Sequence, residues 1–156
     1  MADENKGAGV RFPPPFIYLG FLLAGLALEY AFPLSFGLNR LLLAFVGALL
    51  VLAGLGVGLP AMGLFRKAGT TPEPWTPTTA IVTTGVYRLT RNPMYLGMAL
   101  IHAGFALAFD SPAALLLLVP AIVIVQTQVI AREERYLAAT FGEPYEAYRR
   151  RVRRWI

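Results

Sequence analysis

The chain has 156 residues, 56% of them hydrophobic and 15% charged, with a net charge of +5 and a mean hydropathy of +0.57. Soluble domains carry about 25% charged residues, so this balance points to a membrane protein of one domain rather than a soluble enzyme. The lack of cysteine excludes disulfides, thiol catalysis, thiolate metal sites and palmitoylation, and a single histidine excludes a multi-histidine metal centre.

In chain order, Met1 to Arg11 is short, polar and mixed in charge, and Pro13-Pro14-Pro15 separates it from the first apolar run. No small-residue cleavage pattern follows that run, so it is read as a retained span rather than a removed signal peptide. A spanning helix needs about 20 apolar residues. Four runs are candidates: 16 to about 34, with Glu29 as its lone charge; 41–65, with none; 93–109, closed by Asp110-Ser111-Pro112; and 112–130, where Pro120 predicts a kink. Very short turns follow the first and third spans, so each pair is expected to form an antiparallel hairpin.

The basic residues set the orientation. Arg40 is alone in the first connection, Arg66, Lys67, Arg88 and Arg91 lie in the second, and the third has none. Seven of the fourteen basic residues follow Ile130. This predicts four spans in the cell membrane with both termini cytoplasmic. The expected organisation is one integral membrane domain, 1–156. It comprises a cytosolic segment 1–15, a hairpin 16–65, a cytosolic loop 66–92, a second hairpin 93–130 and a cytosolic tail 131–156. The fold class is an all-α membrane protein with a cytosolic C-terminal amphipathic helix. The basic tail fits anionic lipid headgroups, and neither nucleic acid nor metal is expected as a partner.

Small residues at four-residue spacing (Gly54 and Gly58, Ala99 and Ala103, Gly104 and Ala108) predict close helix contact. The Gly54-Leu-Gly-Val-Gly58 string lacks a preceding strand, so it is read as helix packing rather than as a dinucleotide loop. The Thr- and Pro-rich stretch 69–84 is longer than a connector needs, which suggests a functional loop or lid, with Trp75 an interfacial anchor. Towards the end, Gly142 and Pro144 mark a helix stop and restart. Tyr145, Tyr148, Val152 and Trp155 then share one face of a basic amphipathic helix, lying on the membrane or over the bundle.

The polar residues concentrate in Gly85-Val-Tyr-Arg-Leu-Thr-Arg-Asn-Pro-Met-Tyr-Leu-Gly97. Pro93 pushes Asn92 out of helical geometry and opens a helix whose first-turn amides suit a carboxylate or phosphate. Arg91 adds a bidentate clamp, and Tyr95 a ring and a hydroxyl. An arginine–tyrosine girdle at the membrane interface accounts for these residues equally well. Glu133-Glu134 reads either as a solvated helix start or as a carboxylate site for an amine, a ribose or a sulfonium. Gln126 lies seven residues before Glu133, on its face. His102 lies seven residues after Tyr95 and is read first as bonded to a neighbouring span, with a role beside the acceptor as the alternative. Glu29 lies near the outer end of its span, away from the cluster.

Gly85-x-Tyr-Arg-x-x-Arg-Asn-Pro-Met-Tyr-x-Gly97, followed by Glu133-Glu134-x-x-Leu137-x-x-x-Phe-Gly142-x-x-Tyr145-x-x-Tyr148, resembles the isoprenylcysteine carboxyl methyltransferase family. The wider group includes phospholipid N-methyltransferases. The match runs from about Thr70 to the end; before that only apolar spans correspond. The resemblance implies an integral membrane methyltransferase using S-adenosylmethionine, with a lipophilic or lipidated acceptor entering from the bilayer. Carried over by motif, Gly85, Tyr87, Arg91, Asn92, Pro93, Tyr95, Glu133, Glu134, Tyr145 and Tyr148 are the expected cofactor residues. Of these Arg91, Tyr95 and Glu133 are candidates for catalysis, and His102 and Gln126 for acceptor binding. Asn92 stands where many members have histidine, which removes any titrating imidazole there. A carboxylate acceptor needs only positioning and desolvation, whereas an amine must first lose a proton, with Glu133, Glu134 or His102 as possible bases. A membrane reductase of the sterol type and a non-catalytic assembly or lipid-binding protein are the alternative readings.

Overall fold

Prolines and short polar side chains set where the helices begin. Proline fits the first turn of a helix because its missing N–H would have had no partner there. In a computed structural model that describes residues 7–10, 12–73 and 75–156, α1 (Pro14–Ala31), α3 (Pro93–Ala108) and α4 (Pro112–Ile124) all open on proline. The sequence expectations for residues 1–6 and for Arg11 lie outside the described residues. The second helix, α2 (Arg40–Lys67), opens instead on Asn39, whose Oδ1 accepts from the amides of Leu41 and Leu42 at 2.8 and 3.2 Å. Ser111 Oγ does the same for Ala114 at 3.1 Å in α4.

Beyond α4 the helix continues without a break. It widens into a π turn over Val125–Ile130, then runs on as α5 (Ala131–Phe141). Gly142, at φ +60°, ends α5, and α6 (Glu143–Arg151) follows. The described residues contain no strand, so the fold is all-helical, as the composition predicted. Among the described residues three helices are long and apolar enough to cross a membrane: α1, α2 and the continuous Pro112–Phe141. The third expected span, α3, has 16 residues. At 1.5 Å per residue that is about 24 Å, short of the roughly 30 Å hydrocarbon core. Large apolar side chains face outward, among them Leu41 at 81% and Leu116 at 68% exposed, as expected of walls that meet lipid.

The closest packing is not within the first consecutive pair. α2 lies along α3 and α1 along α4, while α1 makes no comparable contact with α2. The α2–α3 contact is set by glycines. A Cβ on Gly47 would sit 2.5 Å from the carbonyl of Gly104, and one on Gly54 would sit 2.6 Å from that of Gly97. The pairing of 47 with 104 and 54 with 97 makes the two helices antiparallel. Gly54 and Gly58 thus lie in mid-helix, where the packing reading placed them. The α1–α4 contact runs antiparallel as well, with Gly25 against Ala114 and Glu29 against Ser111.

The tail breaks at Gly142 as expected, but its last helix is shorter than the spacing of Tyr145, Tyr148, Val152 and Trp155 predicted. α6 stops at Arg151, and Val152 is extended at φ −119° and ψ 131°. Extension lets the last residues reach the polar motif: Arg91 N donates to Arg153 O at 2.9 Å, and Thr90 Oγ1 and Asn92 Nδ2 donate to Arg154 O at 3.1 and 2.9 Å. Trp155 therefore lies beyond the helix, while Tyr145 and Tyr148 pack inward on the bundle.

Candidate functional site

The motif stretch folds as a 3-10 turn, Gly85–Arg88, followed by Asn92 and α3. Gly85 starts the turn at φ +58°, a region that disfavours side chains. Asn92 lies outside the helical region at φ −128° and ψ 52°, in keeping with the clash by which a following proline disfavours helical geometry. Its side chain does not cap α3. It binds the tail through Arg154 O instead, so the residue that departs from the family pattern is a tail anchor here.

These elements, α5 and α6 enclose one cavity at the end of the bundle. Tyr87, Arg91, Asn92 and Tyr95 line one side, Glu133 and Glu134 the other, and Tyr145 and Tyr148 a third. The loop after α2 closes it with Thr71, Pro72, Glu73, Thr78 and Ala80 to Val82. The space between the lining atoms is about 800 Å³, including the part open to solvent. The loop is tied to α5 by Thr78 N, which donates to Tyr136 Oη at 3.1 Å. Of the ten expected cofactor residues, Gly85 and Pro93 shape the backbone and the other eight line the cavity. The tyrosines are held by contacts: Tyr148 Oη donates to Tyr87 O at 2.8 Å, and the Phe65 and Tyr87 rings meet edge to face at 5.6 Å. Burial raises the hydroxyls of Tyr87, Tyr145 and Tyr148 above the usual phenol range, so they stay protonated.

The two glutamates are not equivalent. Glu134 is 8% exposed and compensated twice. Arg154 grips it with Nε at 3.0 Å and Nη2 at 2.6 Å, and Arg91 Nη1 lies 3.1 Å from Oε1. The hydrogen bond to Glu134 raises the Arg154 pKa further. Glu133 pairs with no cation among the described residues; Tyr95 Oη donates to its Oε1 at 2.7 Å. On the opposite wall Arg91 Nε is buried without a hydrogen-bond partner, and Tyr87 Oη is likewise unpartnered. Such orphaned donors are costly unless a ligand uses them.

His102 and Gln126 do not line this cavity. His102 is 1% exposed, and its Nε2 lies 2.9 Å from Ala114 O, the interspan bond that was read first. Gln126 Oε1 accepts from Trp155 Nε1 at 2.8 Å. The π turn between Gln126 and Glu133 changes the angular register that the seven-residue spacing assumed. Glu29 sits at the other end of the bundle, as expected. Thr90, Tyr136 and Arg154 carry contacts that the sequence reading did not single out. Arg154 had no local signal to separate it from the four neighbouring arginines.

The description "phospholipid methyltransferase" belongs to a family whose profile matches residues 42–144, well over half of the chain. A protein of Haemophilus influenzae, described as an uncharacterized protein, is 38% identical over 63 residues, covering 40% of this chain and all of that one. No solved structure matches. The matched stretch holds α3, both glutamates and almost the whole cavity wall, and the family lies within the superfamily that the paired motifs resemble. The chain therefore belongs to the phospholipid methyltransferase family and is a membrane methyltransferase.

Proposed function

We propose that the protein transfers a methyl group from S-adenosylmethionine to a lipophilic acceptor presented from the bilayer, with the cavity end of the bundle facing the cytoplasm. The observation that carries this reading is Glu133: a carboxylate held by Tyr95, unpaired with any cation among the described residues, in a cavity walled by tyrosines. A cation recruited there gains an opposite charge and aromatic faces in a partly dehydrated site. Bound here, the cofactor would supply a methyl group on a positively charged sulfur.

The side chains fit that group. Arg91 Nε, buried without a partner, offers a charged donor for the cofactor's carboxylate. Tyr87, Tyr145 and Tyr148 supply flat walls, and Glu133 the counter-charge. Glu134 acts at one remove: it fixes Arg91 on one side and the tail on the other. The basic tail orients the cavity towards the cytoplasm by the positive-inside rule. Displacement at a methyl group needs alignment and exclusion of water more than it needs acid or base, which suits a site with so few polar groups. The carboxylate acceptor suggested by the motif resemblance needs no base, and an amine acceptor would find one in Glu133. Isothermal titration of the purified protein with S-adenosylmethionine tests the reading. Saturable binding is expected, weakened at least tenfold by Glu133→Gln and less by Tyr95→Phe. No heat of binding at millimolar cofactor would overturn it.

A further inference from the structure

The sides of the cavity are not held equally. Tyr145 and Tyr148 pack inward from α6, and the tail grips Glu134 through Arg154. The loop after α2 is fastened by Thr78 N to Tyr136 Oη and by Thr79 N to Thr70 Oγ1, both at 3.1 Å. The remaining side is residues 7–10, Gly-Ala-Gly-Val, which form neither helix nor strand. Ala8 lines the cavity, and Val10 is buried in the apolar cluster that contains Tyr95. Among the described residues these four make no hydrogen bond from backbone to backbone. They are held from outside, where Arg132 Nη1 donates to Gly9 O at 3.2 Å. Arg132 precedes Glu133 on α5, about 100° round the helix, so it reaches this segment while Glu133 faces the cavity.

Two glycines let the segment seat and lift. A Cβ on Gly7 would lie 2.6 Å from the Trp75 carbonyl carbon and from the Thr76 oxygen, so the segment rests directly on the backbone of the loop. Gly9 bends at φ +65°, in the left-handed region that side chains disfavour, and a Cβ there would meet nothing within 4 Å. The segment therefore turns at an unobstructed residue and presses on the loop whose Thr71, Glu73 and Thr78 close the cavity. Lifting it breaks one exposed hydrogen bond and the contacts of Val10, whereas opening any other side parts packed helices or the Glu134 ion pairs. Elements held this lightly are the ones that open locally.

We propose that residues 7–10 are the movable side of the cavity, a strap that Arg132 latches across the rim and that lifts to let the cofactor in and out. Arg132 is thus a positioning residue: it does not line the cavity, and it sets how often the site opens. That the passenger is the cofactor rests on the methyl-transfer reading; the latch itself rests on Gly7, Gly9 and Arg132.

The lack of cysteine allows a direct measurement. In the otherwise thiol-free protein, in nanodiscs, Ala8→Cys is labelled with a maleimide on a polyethylene-glycol chain too bulky to enter the closed cavity. The labelling rate then follows the open fraction. Adding Arg132→Gln should raise the rate about fivefold, the size of one exposed hydrogen bond, and Arg132→Lys should raise it less. Gly7→Ala should raise it too, because its methyl group cannot share the space of the loop backbone. Ala138→Cys, on the same helix as Arg132, should label equally in the two backgrounds. An Ala8→Cys rate unchanged by Arg132→Gln would overturn the latch. So would an equal gain at Ala138→Cys, because α5 itself would then have loosened.

Saturating S-adenosylmethionine should slow the labelling of Ala8→Cys. In surface plasmon resonance, its association and dissociation should both quicken in Arg132→Gln by a similar factor, with Kd nearly unchanged. Faster dissociation alone would mean a damaged site and would overturn the gate. If the cofactor did not bind at all while Arg132→Gln still exposed residue 8, the methyl-transfer reading would fail and the latched strap would stand.

Discussion

The two ends of the bundle use carboxylates in opposite ways. At the far end Glu29 accepts from the amide of Leu34 with one oxygen, and from Ser111 Oγ at 3.0 Å and Ala113 N at 3.3 Å with the other. Asp110 accepts from Ser35 Oγ at 2.7 Å and Phe36 N at 3.0 Å. Every one of these oxygens closes a loop or caps a helix. At the cavity end Glu134 is consumed by two arginines, yet Glu133 has a partner for only one oxygen among the described residues. Saturated carboxylates hold chain to chain. The one left open faces the cavity, and this difference, rather than acidity or burial alone, separates a candidate ligand group from a fastener.

The contrast breaks most sharply at Glu133. Glu133→Gln keeps the hydrogen bond from Tyr95 but removes the charge. The expected loss is about 1.5–3 kcal/mol of cofactor affinity, roughly ten- to a hundredfold, with little change in unfolding midpoint. A matched loss of stability would make Glu133 another fastener. The next effect is at Arg154. Arg154→Ala removes both hydrogen bonds to Glu134 but leaves the backbone contact of residue 154 with Asn92. Because the Arg154 side chain is 35% exposed, the full value of a buried pair does not apply. About 1–2 kcal/mol of stability should be lost in denaturant titration. Cofactor affinity should fall with it, since Arg91 loses the alignment that Glu134 provides.

These outcomes depend on details that were only partly legible in the sequence. The cavity walls were legible because arginine, tyrosine and an Asn-Pro step stand out against apolar spans, and because proline fixes where α3 starts. The unequal glutamates were not, although the reason is simple: neighbours on a helix point about 100° apart, so only one of two adjacent acids can face a given wall. His102 shares a face with Tyr95 but lies about 10 Å deeper along the axis, at 1.5 Å per residue, and so bonds to α4. Gln126 was displaced by a π turn that nothing in its composition announces. The tail was legible as basic and aromatic, but which arginine meets Glu134 depends on where α6 stops, and that is set by contacts across the fold.

At the far end the expected effects are smaller and purely structural. Glu29→Ala leaves Ser111 Oγ and two amides without their acceptor. It should cost about 1 kcal/mol by denaturant titration, with solvent replacing part of the loss. Cofactor affinity should not move, and a drop would mean that the two ends are coupled through α1.

The smallest effect is at Asp110, and pH reads it. The Ser35 hydroxyl, followed by the Phe36 amide, holds its carboxyl below the ordinary aspartate value of 3.8. A folded pKa below the unfolded one means that the group contributes stability above the unfolded value and loses it as pH falls through the folded one. Asparagine tolerates the left-handed backbone at this position, where φ is +54°, so Asp110→Asn removes the charge without adding strain. The parent should be slightly more stable than Asp110→Asn near neutral pH, and the two melting curves should converge as acid protonates Asp110. Cofactor titrations at neutral pH should be superimposable. A difference that persists at low pH would show that the amide, not the lost charge, disturbs the loop between α3 and α4, and a change in cofactor binding would erase the distinction between the two ends.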